Sequence, residues 1–418
     1  MKKLLALLFS AMLLCSVLSF TVSAETPYAD TLPTVKTALD LLNSCLSGTT
    51  DISDDLNGDG KVSLLDVVNM LIRVVKAADM PASGAQLFDA SGTGLFAYYY
   101  NYCPSVIQLE DGTRYIYYCT NKDSGKVIDY IGCRKGTLQA DGTYTWGSES
   151  FALSPSSGAW DSQHVCDPSV IAGEFVYGGE TYNYLMAYLG CVTTNSQDNE
   201  LGLAVSKTPE GPYTRIGTAP LVAFDYDATN STFQWGVGQA SLVSIDKAGK
   251  AWLFYTRGDL NGTRTVVRTC DFSNLDAPVI GDEVKVATGG LKDLNGNNDI
   301  LNNADFVYDA DEDRFYCASD CHPNPTDAEP KFISSHFRAS YFDGTNFAKV
   351  KWTNLANIGE ADTGYARNHN VGFVRDLYGH TVSDDYLPVY YTVANTGTSS
   401  QWTHLGTYRI HEFYLLMP

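Results

Sequence analysis

Cys103-Pro-Ser-Val-Ile-Gln-Leu-Glu-Asp-Gly-Thr-Arg-Tyr-Ile-Tyr-Tyr118 reads as a strand, an Asp-Gly turn and an aromatic strand. Gln239-Ala-Ser-Leu-Val-Ser-Ile-Asp-Lys-Ala-Gly-Lys-Ala-Trp-Leu-Phe-Tyr255 has the same form. It recurs at Asp167-Pro-Ser-Val-Ile171, where Tyr184-Leu-Met-Ala-Tyr188 follows a longer turn. Two further copies open at Asn303-Ala-Asp-Phe-Val307 and Asn370-Val-Gly-Phe-Val374, followed by Arg314-Phe-Tyr316 and Val389-Tyr-Tyr391.

The leading residues fall at 103, 167, 239, 303 and 370, at steps of 64, 72, 64 and 67. Five units of such even length, each opening with a hairpin, predict a mainly β domain over residues 86–418, a five-bladed β-propeller. An aromatic-rich β-sandwich is the alternative. Ring closure is expected from residues 86–99 or from Thr407–Leu416.

In a propeller the first strand of each unit lines the axis. The residues that open these strands then share a concavity: Cys103, Asp167, Gln239, Asn303 and Asn370, with His369 one residue earlier. Convergent polar groups are costly to bury unpaired and suggest a ligand or ordered water. Strand alternation gives Asp305 the same facing as Asn303. Asp161 and His164 precede Asp167, and Arg367 precedes His369. Trp160 and Trp235 flank first strands, as sugar platforms or as packing residues.

The N-terminal part reads differently. Lys2-Lys3, an apolar run from Leu4 to Val17 and Val22-Ser23-Ala24 fit a signal peptide over residues 1–24, so a secreted, extracellular protein is expected. A helix is expected over residues 31–46. Then Asp55, Asn57, Asp59, Lys61 through its carbonyl, Ser63 and Asp66 occupy positions 1, 3, 5, 7, 9 and 12 of a loop with Gly60 at position 6. A hard cation that takes six to eight oxygens needs this spacing, so a Ca2+ site is expected, followed by an apolar helix.

Position 12 is Asp66 and not the Glu of a sensor EF-hand, and with the apolar helix after it residues 28–80 resemble a dockerin, an α-helical EF-hand-like module. Only one of the two loops such modules usually carry is present. The resemblance implies docking to a cohesin of a scaffoldin or cell-surface protein, as in a cellulosome. It puts Leu64 and Leu65 at the partner contact, where core packing is the other reading.

Composition narrows the partners. There are 48 acids against 28 Lys and Arg, a net charge of −20, and no basic run, which argues against nucleic acid. No stretch after the leader is long and apolar enough to span a membrane. Nine cysteines remain beyond Cys15, an odd number that leaves disulfides or free thiols open, and without C-x-x-C pairs no zinc cage is expected.

Asp167-Pro-Ser-Val-Ile171, Leu201-Gly-Leu-Ala-Val-Ser-Lys-Thr-Pro-Glu-Gly-Pro-Tyr213 and the five-fold repeat resemble glycoside hydrolase family 43 and related furanosidase families over about residues 86–418. The resemblance implies an inverting hydrolase of plant cell-wall polysaccharide, of arabinofuranosidase or xylosidase type, with one carboxylate from each of the first three blades. Asp167 matches the second. Cys103 stands at the place of the first, and Gly238 or Gln239 at the third. His369 matches a histidine that holds an ion or water on the axis. Two functions follow: a hydrolase using Asp167 with a second carboxylate such as Asp305, or a non-catalytic glycan-binding propeller tethered by its dockerin.

Overall fold

The computed structural model describes residues 27–57, 59–90, 99–122, 126–194, 197–397 and 404–418. The expected signal peptide lies outside them. The chain divides into two compact units, one built on the N-terminal stretch through Ala82 and one on Ser83–Val382 with Pro388–Phe413. Among the described residues no helix is long and apolar enough to cross a membrane.

The first unit holds α1 (Pro27–Thr31), α2 (Val35–Ser47) and α3 (Leu64–Asp79). The helix expected from residue 31 begins at Val35, because Pro33 disfavours helix at Leu32 and Thr34 caps α2 by accepting from the Thr37 N–H at 3.2 Å. Ala38 and Leu41 of α2 pack on Val67 and Leu71 of α3, which orders the loop between the helices. Each such side chain contributes about 1.5–3 kcal/mol when fully buried.

The second unit is mainly β, and five hairpin-led groups of antiparallel strands follow one another. The first is β1 (Asn101–Gln108), β2 (Arg114–Thr120), β3 (Tyr130–Leu138), β4 (Tyr144–Trp146) and β5 (Ser150–Leu153). The second is β6 (His164–Tyr177), β7 (Glu180–Cys191), β8 (Glu200–Ser206) and β9 (Thr214–Arg215). The third is β10 (Gly236–Ser244), β11 (Lys250–Asp259) and β12 (Gly262–Asp271), edged by β13 (Val279–Ile280) and β14 (Val284–Lys285). The fourth is β15 (Asp305–Asp309), β16 (Arg314–Cys321), β17 (His336–Asp343) and β18 (Thr353–Ile358). After the single turn α4 (Glu360–Thr363) comes β19 (Arg367–Arg375), β20 (Tyr386–Ala394) and β21 (Arg409–Leu416).

Parallel pairing of β1 with β19 at Val106–Val374 and Ile107–Arg375 merges the first and last groups into one hydrogen-bonded sheet, so the sheets number four among the described residues. The first strands contact one another in a cycle, β1 to β6 to β10 to β15 to β19 and back to β1. Both segments expected at the closure meet there: Gln86 bridges His411 antiparallel, and Leu87 N–H donates to the Ile410 carbonyl at 3.0 Å. Aromatic packing fills the space between groups, with Phe254 of β11 stacked 3.9 Å from Phe306 of β15.

Every leading residue of the repeat has a left-handed backbone: Cys103 (φ 51), Asp167 (φ 47), Gln239 (φ 54), Asn303 (φ 46) and Asn370 (φ 45). Asn and Asp tolerate this conformation, whereas Cys and Gln are strained in it, and such strain concentrates at functional sites. In four of the groups the pairing register slips at this residue, so each first strand bulges at the same level.

Two residues further along, the side chains form a second ring around one buried cation. The Arg375 guanidinium donates to Ser169 Oγ at 3.1 Å, Ser105 Oγ at 3.3 Å, Ser241 Oγ at 3.3 Å and the Leu242 and Phe306 carbonyls, and it lies 3.3 Å from Asp305. One side chain thus ties all five groups together. The fifth group has Gly372 at this level, where a Cβ would come within 2.0 Å of the Pro104 carbonyl.

Candidate functional site

The five left-handed residues bound one end of a cavity of about 240 Å³. Cys103, Asp167, Gln239, Asn303 and Asn370 line its floor, and Tyr102, Trp235, Phe332 and Tyr408 supply aromatic wall. A second space of about 40 Å³ runs below the same five residues, toward Asp305.

Three carboxyl groups open onto the main cavity: Asp129, Asp167 and Asp320. No Lys or Arg stands among its described lining residues. Asp129 Oδ1 accepts from the Tyr100 hydroxyl at 2.6 Å, and its Oδ2 lies 2.9 Å from His164 Nδ1. Asp320 Oδ2 accepts from Asn303 Nδ2 at 2.5 Å, and its Oδ1 accepts from the Asn370 N–H at 3.1 Å.

The environment sets the protonation of these groups. Burial pushes Asp167 up, the Cys103 thiol pulls it down, the Asp129 charge raises it and the Gln239 N–H lowers it, for a net position of about 6. Burial also raises Asp320, against the pull of Asn303 and the Asn370 N–H. Burial, then the Asp167 charge, lifts the Cys103 thiol well above its ordinary value. A neutral thiol is no general base, so Cys103 does not replace the carboxylate expected at its position. Burial lowers His369 to about 4 despite its bond with the Asn370 side chain, so the imidazole is neutral.

Two polar atoms of the lining have no partner among the described residues, Asn303 Oδ1 and His369 Nε2. Buried polar atoms are rarely left so, and both suit a ligand or water.

The cavity brings together Cys103, His164, Asp167, Trp235, Gln239, Asn303, His369 and Asn370 from the sequence-derived set. Four others lie elsewhere. Asp305 does face the axis, but one level lower, where Ser241 Oγ donates to its Oδ1 at 2.6 Å and the Phe373 N–H to its Oδ2 at 2.8 Å. With Arg375 beside it, Asp305 anchors the hub and does not face the main cavity. Asp161 is fully buried, held by Arg215 Nε at 2.6 Å and the Tyr188 hydroxyl at 3.0 Å. Trp160 stacks on Tyr188 with ring centroids 5.6 Å apart and covers Gly190 and Gly202. Arg367 clamps the loop before β17 by donating to the Ala328 and Pro330 carbonyls at 2.7 and 3.0 Å.

Sequence reasoning did not identify Asp129 or Asp320. Asp320 lies on β16 opposite Asn303, by extension of the Asp305–Ala318 register. Cross-strand neighbours of the leading residues share their end of the sheet, and that rule finds Asp320. Asp129 immediately precedes β3, and only the folded chain places it beside His164.

In the first unit the candidate calcium loop is closed on itself. Asp66, fully buried, accepts from the Leu56, Asn57 and Ser63 N–H groups at 2.9, 3.3 and 2.7 Å. Ser63 caps α3 by accepting from the Leu65 N–H at 3.1 Å. Asp55 Oδ2 accepts from the Gly60 N–H at 2.8 Å, while its Oδ1 is buried without a partner. The orphaned Asp55 oxygen, at the first position of a loop whose side chains carry oxygen, fits a hard cation. Leu65 is 53% exposed, with Ile72 and Val75 also exposed on α3, whereas Leu64 packs on the helical core.

No protein-family model matches the chain, and no curated protein matches it. Solved structures do resemble it. An α-L-arabinofuranosidase from Podospora anserina in complex with cellotriose is 12% identical, over 80% of this chain and 96% of that one, with a TM-score of 0.50. A family 62 glycoside hydrolase in complex with xylotriose is 13% identical, over 80% and 96%, with a TM-score of 0.50. An α-L-arabinofuranosidase from Lactobacillus brevis is 11% identical, over 76% and 90%, with a TM-score of 0.50. The fold is that of the propeller-type glycoside hydrolases. At these identities the likeness concerns the fold alone.

Proposed function

We propose that the chain is a secreted protein whose second unit is a five-bladed β-propeller that hydrolyses plant cell-wall polysaccharide, in the manner of an arabinofuranosidase or xylosidase. The observation that carries this reading is the convergence of Asp129, Asp167 and Asp320 on one cavity walled by aromatic rings. An inverting hydrolase needs an acid and a base on two carboxyl groups about 6.5–9.5 Å apart. Asp320, raised by burial, keeps a proton for the leaving group. Asp129, held by Tyr100 and His164, activates water. Asp167, between Cys103 and the Gln239 N–H, orients the sugar. His369 Nε2, without a partner among the described lining residues, is free to hold an ion or a water on the axis.

The occupants of the leading positions favour a second reading. Cys103 and Gln239 are neutral where the resemblance expects carboxylates, which suits a glycan-binding propeller without turnover. Incubating the full chain with arabinoxylan and a panel of aryl-glycosides separates the two. Release of sugar supports the hydrolase; oligosaccharide binding without release supports the binder.

The first unit is read as a calcium-loaded dockerin, with Asp55, Asn57, Asp59, the Lys61 carbonyl, Ser63 and Asp66 around Ca2+. Exposed Leu65 on α3, with Leu64 beneath it, would meet a cohesin of a scaffoldin or cell-surface protein. Capture by immobilised cohesins in Ca2+, lost in a chelator and in Leu65→Asp, tests this.

A further inference from the structure

Cys103, Cys166 and Asp167 line the cavity floor, and the fully buried Cys119 beside them completes a group of three sulfur atoms and a carboxylate. Cys103 comes from β1, Cys119 from β2 and Cys166 and Asp167 from β6, and their ligand atoms all lie within 4.8 Å of one another. No spacing in the chain announces this set, because the residues belong to three different strands. Cys119 and Cys166 are joined as a disulfide, with Cα atoms 5.1 Å apart. Cys103 is a free thiol beside them.

Two donors already point at these sulfurs. The Asp167 N–H donates to Cys119 Sγ at 3.1 Å, and the Tyr102 hydroxyl donates to Cys166 Sγ at 3.1 Å. Donors aimed at sulfur stabilise thiolates and are the usual outer partners of metal-bound cysteine. The cavity above carries three carboxyl groups and no lysine or arginine among its described lining, so it lacks positive charge. The remaining cysteines point the same way. Cys45, Cys133, Cys191, Cys270, Cys317 and Cys321 are all free, so the fold does not depend on an oxidising environment to pair its thiols.

We propose that the reduced protein binds a thiophilic divalent cation, zinc being the natural candidate, through Cys103, Cys119, Cys166 and Asp167, and that closure of the Cys119–Cys166 disulfide abolishes the site. Three sulfurs and one oxygen suit tetrahedral zinc, whose bonds to sulfur are about 2.3 Å. Sulfurs at the corners of such a tetrahedron stand about 3.8 Å apart. Side-chain rotation brings atoms within 4.8 Å to that spacing, once the two bonded sulfurs are released. Reduction takes two electrons and two protons from a dithiol, which itself closes to a disulfide, and yields the Cys119 and Cys166 thiols. Binding then displaces the three thiol protons to water, and Asp167 adds one carboxylate oxygen. The site closes over Asp167, so metal and polysaccharide compete for the same floor.

The test uses the full chain, reduced without oxygen by a phosphine, which takes up the oxygen of one water as the disulfide becomes two thiols. After removal of the reductant the protein is titrated with Co2+. The expected result is one equivalent bound with intense thiolate-to-cobalt charge-transfer absorption, bleached by Zn2+, and no such absorption from the disulfide form. The one described thiol beside the calcium loop is Cys45, which donates to the Ser63 carbonyl at 3.5 Å, and Cys45→Ser is expected to leave this absorption unchanged. Cys103→Ser weakens Co2+ binding at least about tenfold. Asp167→Asn alters the ligand-field bands while leaving the charge transfer. Cys317→Ser, a buried thiol outside the cluster, changes neither. Absence of the absorption in the reduced protein, or its survival unchanged in Cys103→Ser, overturns the proposal. Hydrolysis is read separately, so an inactive chain that binds cobalt sinks the hydrolase reading and leaves this site standing.

Discussion

The Arg375 guanidinium lies 3.3 Å from the Asp305 carboxylate, and both are enclosed by the first strands. Arg375 is fully buried and also bonds three serines, one from each of the first three groups. Breaking a buried pair by removing one partner leaves an uncompensated charge and costs about 3–5 kcal/mol. Arg375→Met is therefore expected to lower the unfolding free energy of the second unit, read from urea denaturation, by that amount. Asp305→Asn does the same on a smaller scale, because its one amide oxygen still accepts from either Ser241 or the Phe373 N–H. Glycan binding by the folded Asp305→Asn protein persists, since Asp305 lies below the main cavity.

Gly372 carries the closure between the last and first groups. A methyl there meets the Pro104 carbonyl at 2.0 Å, and backbone cannot swing aside as a side chain can. Overpacking of this kind costs about 1–3 kcal/mol or more. Gly372→Ala is expected to lower the melting temperature, while Gly142→Ala, where nothing lies within 4 Å but φ is +85, is strained by conformation alone. A larger loss at Gly372 in calorimetry supports the closure; equal losses contradict it.

The repeat and its leading residues were legible from one strand of each hairpin. Val-Ile and Phe-Val after a polar opener mark the strand, and the left-handed backbone at all five openers shows that they share one structural role. The alternation that gave Asp305 an axial facing was sound, but alternation fixes a face and not a level. Arg375, more than sixty residues further on, decides what Asp305 does. Asp129 and Asp320 were invisible to a reading confined to first strands, because they reach the cavity from β16 and from the lead into β3. The sulfur cluster was hidden for the same reason, since strand packing alone brings Cys119 to Cys166.

A buried network in the fourth group makes stability depend on pH. Burial raises Asp299, but the bonds from His322 at 2.9 Å and Arg338 at 2.8 Å outweigh it and hold the carboxyl at about 2. Burial lowers His322, and Asp299 more than restores it, so the imidazole is raised. The depressed Asp299 stabilises the fold above its unfolded value of about 4, and that contribution is lost as pH falls toward 2. The raised His322 stabilises the fold below about 6.5, and its contribution is lost as pH climbs through the folded value. Denaturant midpoints from pH 2 to 9 should crest between these limits. In Asp299→Asn both flanks flatten; flanks unchanged in the variant would assign them to other groups.

Calcium is expected to stabilise the first unit by mass action, about 2.7 kcal/mol at a hundred times the dissociation constant. Asp55 offers the unpartnered oxygen, so Asp55→Ala should remove the effect. Melting of the full chain in Ca2+ and in a chelator reads it: a low-temperature transition that moves with Ca2+ in the wild type and stays fixed in the variant.

The central claim is that the cavity carboxyls do chemistry, and turnover by Asp129→Asn and Asp320→Asn beside the wild type tests it most directly. Loss of an acid or base costs about 10²–10⁴-fold in rate, whereas the neutral amides preserve shape and sugar binding. The account predicts a wild type that releases sugar from arabinoxylan or an aryl-glycoside, and two variants that bind the same ligand but turn it over at least a hundredfold more slowly. Wild-type turnover that both variants retain would contradict it.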